Sequence, residues 1–195
     1  MMEKNNDGNN ERVTVFIDLE NVMKHAEGFG KDITTDFGEM VKALVGEREL
    51  VRTYVFDGRR YGNSARCAVH CALRDRGFRV MTRNCYEKET ETQKEVDVAM
   101  ACEILSQAYK DEYDTAIIVS GDRDFRPAVE QIRSLGKRAE IAGFSASTSK
   151  VLSRRCDVFR NMDQIPMFCL APETVRYYEE FVSEYFAMPF EAAAA

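Results

Sequence analysis

The chain has 195 residues, of which 45% are hydrophobic and 31% charged, and its formal net charge is −6 at pH 7. This length suffices for one globular domain with a full-sized core. The sequence has no long apolar run and no charged leader followed by an apolar stretch, so we expect a cytoplasmic protein without a membrane span or a signal peptide. The negative charge argues against nucleic acid as a partner, but much of the acidic excess follows Pro172, so the charge does not exclude one.

The cysteines are also interpreted as those of a cytoplasmic protein. The six cysteines are scattered, and we expect free thiols. The one cluster comprises Cys67, His70 and Cys71 within a helical pattern. Because no spacing supplies a fourth zinc ligand, we interpret it as buried small residues beside a surface histidine.

The sequence divides into three parts. Residues 1–12 are Asn-rich and lack periodicity, which predicts a disordered leader. Residues 13–166 alternate strand and helix patterns and form the predicted domain. Residues 167–195 form a predicted acidic, amphipathic C-terminal helix and tail. This helix covers its own domain, the interpretation we favour, or else forms a homodimer interface.

Within the domain, predicted strands and helices alternate. Apolar runs predict strands at 13–18, 50–56, 78–82, 115–119, 138–142 and 158–160. Capping residues, helical spacing and Gly stops predict helices at 37–45, 63–76, 96–109, 125–135 and 148–155, the third of them opened by a capping box of Thr92 and Glu95. Such alternation implies right-handed βαβ units and a mostly parallel sheet of the Rossmann type.

Two acidic residues stand at the ends of apolar strands. Asp18 closes the first strand, and Asp122 follows the strand at 115–119. In parallel α/β sheets, ligands bind beyond the carboxyl ends of the strands, so both acids are delivered to that edge. We expect Asn21 and Asp124 to join them through the following turns, and Asp97 to project from the first turn of its helix. Carboxylates and an amide select hard cations, here Mg²⁺ or Mn²⁺, and such ions support phosphodiester hydrolysis.

Each of these residues also has a structural interpretation. Asp18 and Asp122 suit a helix cap and a turn, and Asp97 suits the positive end of a helix. Function is favoured for Asp18 and Asp122 because both follow apolar strands of the same chain. It is favoured for Asp97 because its apolar neighbours suggest a packed position, where a lone acid would be costly. Asn21 and Asp124 are evenly balanced between a ligand role and local backbone contacts.

Basic and aromatic residues near the strand ends predict contacts to RNA. The set consists of Arg59, Arg60, Tyr61, Lys94, Arg123, Arg126 and Ser149. Cations that hold phosphates, with a tyrosine stacked on an unpaired base, are the mode expected for single-stranded RNA. For any one of these residues, an ordinary solvated surface or a helix cap is the simpler explanation.

Five motifs in order resemble the NYN domain family, the LabA-like branch of the PIN-like ribonucleases. They are FIDLEN at 16–21, KEVDVAMACE at 94–103, SGDRDF at 120–125, TSKVL at 148–152 and CDVF at 156–159. The resemblance implies a three-layer PIN-like fold and a metal-dependent endoribonuclease.

The resemblance also implies site residues. Asp18, Asp97 and Asp122 would be the catalytic carboxylates, and metal ligation would involve these three with Asn21 and Asp124. We expect Glu20, Glu103 and Ser120 to contact the metal ligands without binding the metal themselves. The chain departs from the family pattern at Leu19, Glu95, Glu103 and Arg123, which leaves the three core acids intact.

Two other functions stay open from the sequence. An Asp at the end of the first strand with a later Gly-Asp-x-Asp also resembles haloacid-dehalogenase-like phosphatases, although Glu20 stands where that family has Asp. A non-catalytic RNA-binding or adaptor domain could keep the acids and contact partners through its C-terminal helix. The phosphatase leaves Lys94 and Asp97 unexplained, and the intact acids argue against a domain without catalytic activity.

Overall fold

A computed structural model describes residues 11–27, 36–59, 64–84 and 89–165. Within these ranges, six parallel strands form one sheet in the order β3-β2-β1-β4-β5-β6. The strands are β1 Arg12–Asp18, β2 Glu49–Arg59, β3 Arg79–Asn84, β4 Thr115–Val119, β5 Arg138–Gly143 and β6 Val158–Asn161. The prediction of an α/β fold with a parallel sheet is confirmed.

Helices cover both faces of the sheet. They are α1 Leu19–Glu27, α2 Phe37–Val45, α3 Ser64–Asp75, α4 Glu89–Tyr109, α5 Arg126–Ser134 and α6 Lys150–Ser153, with short 3-10 helices at Arg123–Phe125 and Met162–Gln164. The core on one face includes residues of α1, α2 and α3, and the core on the other includes residues of α4, α5 and α6. The result is a three-layer PIN-like fold. None of the described helices is both long and apolar enough to cross a membrane.

The central strands are apolar because both of their faces are buried. In β1, Val15 and Ile17 enter the core under α1–α3, whereas Phe16 enters the core under α4–α6. Because side chains alternate along a strand, Asp18 lies on the same face as Phe16, the face that α4 covers. The alternation of side chains along β1 therefore places the first predicted acid on the face that α4 covers.

Two predicted helix boundaries are wrong. The helix predicted from residue 96 begins at Glu89, so Thr92 and Glu95 lie inside it and form no capping box, and Asp97 is not in its first turn. The preceding Glu, Gln and Lys residues are good helix formers, which explains the earlier start. The helix predicted at 148–155 spans Lys150–Ser153, with Ser149 as its N-cap.

Other predictions fall outside the described residues or need correction. Residues 1–10, Arg60, Tyr61, and all of the predicted C-terminal helix and tail at 167–195 lie outside them. Arg12, predicted as the end of the leader, begins β1. His70, predicted as a surface residue, is 3% exposed. The sequence near it is a helical pattern, and only the tertiary fold turns that side of α3 inward.

Candidate active site

The candidate site lies where the strand order reverses. From β1 the chain moves outward through β2 and β3, then returns to form β4 on the other side of β1. The carboxyl ends of two such strands flank a crevice, which is where open α/β sheets bind ligands. Asp18 ends β1, and Ser120-Gly121-Asp122 follows β4 directly. Both predicted acidic motifs therefore reach the switch point of the sheet.

Asp18 is a buried carboxyl group with defined partners. It is 3% exposed. Its Oδ1 accepts a hydrogen bond from the backbone N–H of Asn21 at 3.1 Å, and its Oδ2 accepts one from the hydroxyl of Ser120 at 3.0 Å. The first bond is a local contact within the β1–α1 turn, whereas the second links β1 to the segment after β4. The carboxylate is thus held from two directions.

The electrostatics of Asp18 join the three predicted core acids. Burial raises the pKa of Asp18 from 3.8 to about 7, and repulsion from Asp97 and Asp122 contributes to the increase, against the lowering effect of its hydrogen bonds. Asp97 reaches this position from α4, and Asp122 from the loop after β4. Three acids from three separate chain segments therefore share one electrostatic environment.

Ser120 connects the two acidic loops. It is buried, donates to Asp18, and accepts a hydrogen bond from the backbone N–H of Asp122 at 3.2 Å. The Oδ1 of Asp122 in turn accepts from the N–H of Asp124 at 2.9 Å and caps the short 3-10 helix. One hydroxyl group thus couples the position of the Asp18 carboxylate to that of the Asp122 backbone.

A second contact holds the loop that carries Asp122. A Cβ atom built on Gly121 would lie 2.9 Å from the Cα of Thr148, and one built on Gly143 would collide with the Thr148 hydroxyl. The N–H of Ser149 donates to the carbonyl of Gly121 at 2.9 Å. Glycine is required at both positions because the chain around Thr148 packs directly against them.

An ion cluster on the other face of the sheet was not predicted. Asp57 near the end of β2 is 1% exposed and accepts two hydrogen bonds from Arg66, at 2.7 and 2.9 Å, and contacts His70 Nε2 at 2.6 Å. Arg66 also donates to Glu20 at 2.7 Å. Burial alone would raise the pKa of Asp57, but its bonds to His70 and Arg66 lower it below the ordinary value.

This cluster defines the environment of Glu20. Besides Arg66, Glu20 contacts Lys24 at 3.3 Å, so two cations balance its charge. Glu20 therefore links α1 to α3, close in the chain to Asp18. The sequence could suggest a role for Glu20 only through its position two residues after Asp18. Its pairing with Arg66 depends on the fold.

The other predicted acids and Asn21 are less closely tied to the centre. Asn21 is half-buried, and its backbone N–H makes the contact with Asp18 described above. Asp124 is exposed and does not cap α5, whose N-cap is Phe125. Glu103 accepts a hydrogen bond from Gln107 at 2.6 Å along α4, about 9 Å further along the helix axis than Asp97.

The structure describes the side chains of four of the seven predicted RNA-binding residues. Lys94, Arg123 and Arg126 are exposed. Arg123 lies 3.9 Å from Asp124, and Arg126 lies 3.5 Å from Glu130. Ser149 accepts from the N–H of Val151 as a helix cap, which agrees with its simpler interpretation. Arg60, Tyr61 and the side chain of Arg59 belong to the part of the chain that the structure does not describe.

The donor chemistry fits a hard divalent cation. Asp18 experiences the charges of Asp97 and Asp122, and a bound cation would relieve this repulsion. Within the described ranges, however, no group of three or more His, Cys, Asp or Glu side chains is arranged as a ready metal site. The described side chains therefore do not by themselves form a complete metal coordination shell.

Comparisons with known proteins agree with this architecture. A chain from Vibrio parahaemolyticus, described as a protein of unknown function, superposes with a TM-score of 0.69 at 24% identity, covering 83% of this chain and 97% of that chain. That likeness shows the fold alone. None of the curated proteins matches. The sequence profile of the NYN domain matches residues 12–163. The chain therefore belongs to the NYN domain family, within the PIN-like superfamily.

Proposed function

We propose that this protein is a metal-dependent endoribonuclease that hydrolyses phosphodiester bonds of single-stranded RNA. The observation that supports it best is the buried Asp18 carboxyl group, which experiences the charges of Asp97 and Asp122 at the switch point of the sheet. A buried ionised carboxylate is unfavourable, and a bound cation would compensate the charge of Asp18 beside these two acids. Membership in the NYN family agrees with a nuclease activity.

Each acid has a role in holding the cation. Asp18, Asp97 and Asp122 would bind Mg²⁺ or Mn²⁺, with Asn21 and Asp124 completing the shell where water does not. When bound, such a cation supplies an activated water, polarises the phosphoryl oxygen and stabilises the leaving oxygen. Ser120 keeps Asp18 oriented, because its hydroxyl donates to the Asp18 carboxylate while the Asp122 backbone holds its oxygen.

Substrate contacts would lie around this edge. Lys94 and Arg123 are exposed cations beside Asp97 and Asp122 in sequence, and each can contact a phosphate oxygen. For Arg59, Arg60 and Tyr61, binding of phosphate and of an unpaired base remains a prediction. A cytoplasmic location and a homodimer through residues 167–195 also remain predictions, and neither is needed for the chemistry.

The alternative activities have less support. A haloacid-dehalogenase-like phosphatase needs a proton-donating Asp two residues after its nucleophile. Glu20 occupies that position, and its carboxylate is bound by Arg66 and Lys24. A non-catalytic RNA-binding domain would need no cluster of acids at the switch point.

A direct comparison of substrates distinguishes these functions. The purified protein is incubated with an end-labelled single-stranded RNA, with the same sequence as DNA, and with a phosphate monoester, each with Mn²⁺, Mg²⁺ or EDTA. We expect internal cleavage of RNA with a divalent cation and none with EDTA. Hydrolysis of the monoester alone would support the phosphatase, and RNA binding without cleavage would support the adaptor. The Glu47→Gln variant, which changes an exposed acid outside the site, serves as the active control.

A further inference from the structure

Two arginines on the edge strand β3 share a face with the candidate site. Arg79 and Arg83 are exposed, and Met81 between them packs into the core under α4–α6. Alternation along the strand directs all three side chains to that face. The guanidinium of Arg79 confirms the direction, since its Cζ lies 5.9 Å from the centre of the Tyr54 ring, which belongs to the same core.

The strand register brings both arginines near Asp18. Asp18 pairs with Phe56 of β2, and Phe56 pairs with Met81 of β3. Arg83 therefore lies two strands away and two positions nearer the carboxyl edge, which corresponds to about 12 Å between Cα atoms. Arg79 lies about as far away, toward the amino end. A long arginine side chain can cover much of that distance.

The charges of these arginines are not balanced within the described ranges. Arg79 contacts the Tyr54 ring, and Arg83 donates to the carbonyl of Thr82 at 3.3 Å, but neither contacts a described carboxylate. In contrast, Arg123 and Arg126 each have a carboxylate within 4 Å. Charged residues on an edge strand also prevent sheet-to-sheet association, which explains exposure. It does not explain why both arginines lie on the face of the sheet that also carries Asp18.

We propose that Arg79 and Arg83 form a phosphate-binding edge for the single-stranded RNA that enters the site. This inference rests on the proposed function for the identity of the ligand. Guanidinium groups pair well with phosphate oxygens, and a row of them along a strand can follow a polynucleotide backbone. The RNA would run along the exposed outer edge of β3 toward the carboxyl ends of the strands, because α4 covers β2 on this face, and the contact would be independent of base sequence.

The test is the binding of a short fluorescent single-stranded RNA, measured in EDTA at several KCl concentrations. Arg83→Gln removes one charge and is chosen because Arg79 also covers Tyr54. Losing one phosphate contact should make the negative slope of log affinity against log salt shallower by about 0.7. It should also weaken binding about fivefold at about 0.1 M salt. Arg74→Gln is the matched control, since Arg74 is exposed on α3 on the opposite side of the sheet.

Arg83→Lys separates charge from folding, because it keeps the charge and should keep most of the slope. Equal affinity and slope in Arg83→Gln and Arg74→Gln would overturn the proposal. It would also be overturned if the wild-type protein binds no RNA, or if Arg83→Lys loses as much affinity as Arg83→Gln. The expected loss of binding in Arg83→Gln, together with a wild-type protein that cleaves no RNA, would instead reject the nuclease and leave the phosphate-binding edge intact.

Discussion

The Asp18 carboxyl group should destabilise the fold once it ionises, and Asp18→Asn should remove that penalty. The pKa of Asp18 is raised from 3.8 to about 7 by burial and by repulsion from Asp97 and Asp122. Between these pH values the unfolded chain has released its proton while the native state still holds it. The free energy of unfolding therefore falls as pH rises, and the whole difference amounts to about 4 kcal/mol.

The gain from Asp18→Asn should therefore depend on pH. Asn resembles the protonated acid in shape and can still accept the hydrogen bond from the Asn21 N–H. In EDTA, the variant's advantage over wild type should be about 2 to 3 kcal/mol larger at pH 8 than at pH 5 and should level off above about pH 7. Urea unfolding followed by far-UV circular dichroism measures it, since the chain has no tryptophan.

A matched control is Glu47→Gln, whose carboxylate is exposed. Its effect should be nearly the same at both pH values. An Asp18→Asn difference that stays constant across that pH range, or a variant less stable than wild type at the higher pH, would contradict a raised pKa of Asp18.

Two further substitutions test the contacts that support the site. Gly143→Ala should destabilise the fold by about 1 to 3 kcal/mol in urea unfolding, because its methyl group meets Thr148, and adding Thr148→Ala should recover part of the loss. Arg66→Met should cost about 3 to 5 kcal/mol, because it leaves Asp57 buried with a missing partner, whereas Arg126→Met at an exposed pair should cost less than about 1 kcal/mol. No rescue in the first pair, or equal costs in the second, would contradict these assignments.

The parallel sheet and its acidic edge could be predicted because their signals are local. Apolar runs ending in Asp18 and leading to Asp122 reveal strands buried on both faces and residues delivered to one edge. The parallel arrangement then follows from the alternation of elements and from the family resemblance, and the structure confirms it. Whether these acids carry out catalysis stays a prediction.

What could not be predicted depends on contacts between distant segments. The burial of His70 and the pairing of Arg66 with Asp57 and Glu20 arise only when α3 packs against β2 and α1. Thr148 contacts Gly143 because the loop after β5 folds back, and no periodicity in the sequence indicates such a contact. The start of α4 differs from its prediction for another reason, since Thr and Glu three residues apart occur within helices as well as at their ends.

The most direct measurement is RNA cleavage and melting temperature on one variant, Asp122→Asn, with and without Mn²⁺. Asn keeps the shape of the side chain and its capping oxygen, but it removes one of the charges that Asp18 experiences. We expect cleavage to be lost, with a melting temperature in EDTA equal to or above that of wild type. Full cleavage activity in Asp122→Asn, or retained activity with a lower melting temperature, would contradict the metal-dependent nuclease and return Asp122 to the role of a helix cap.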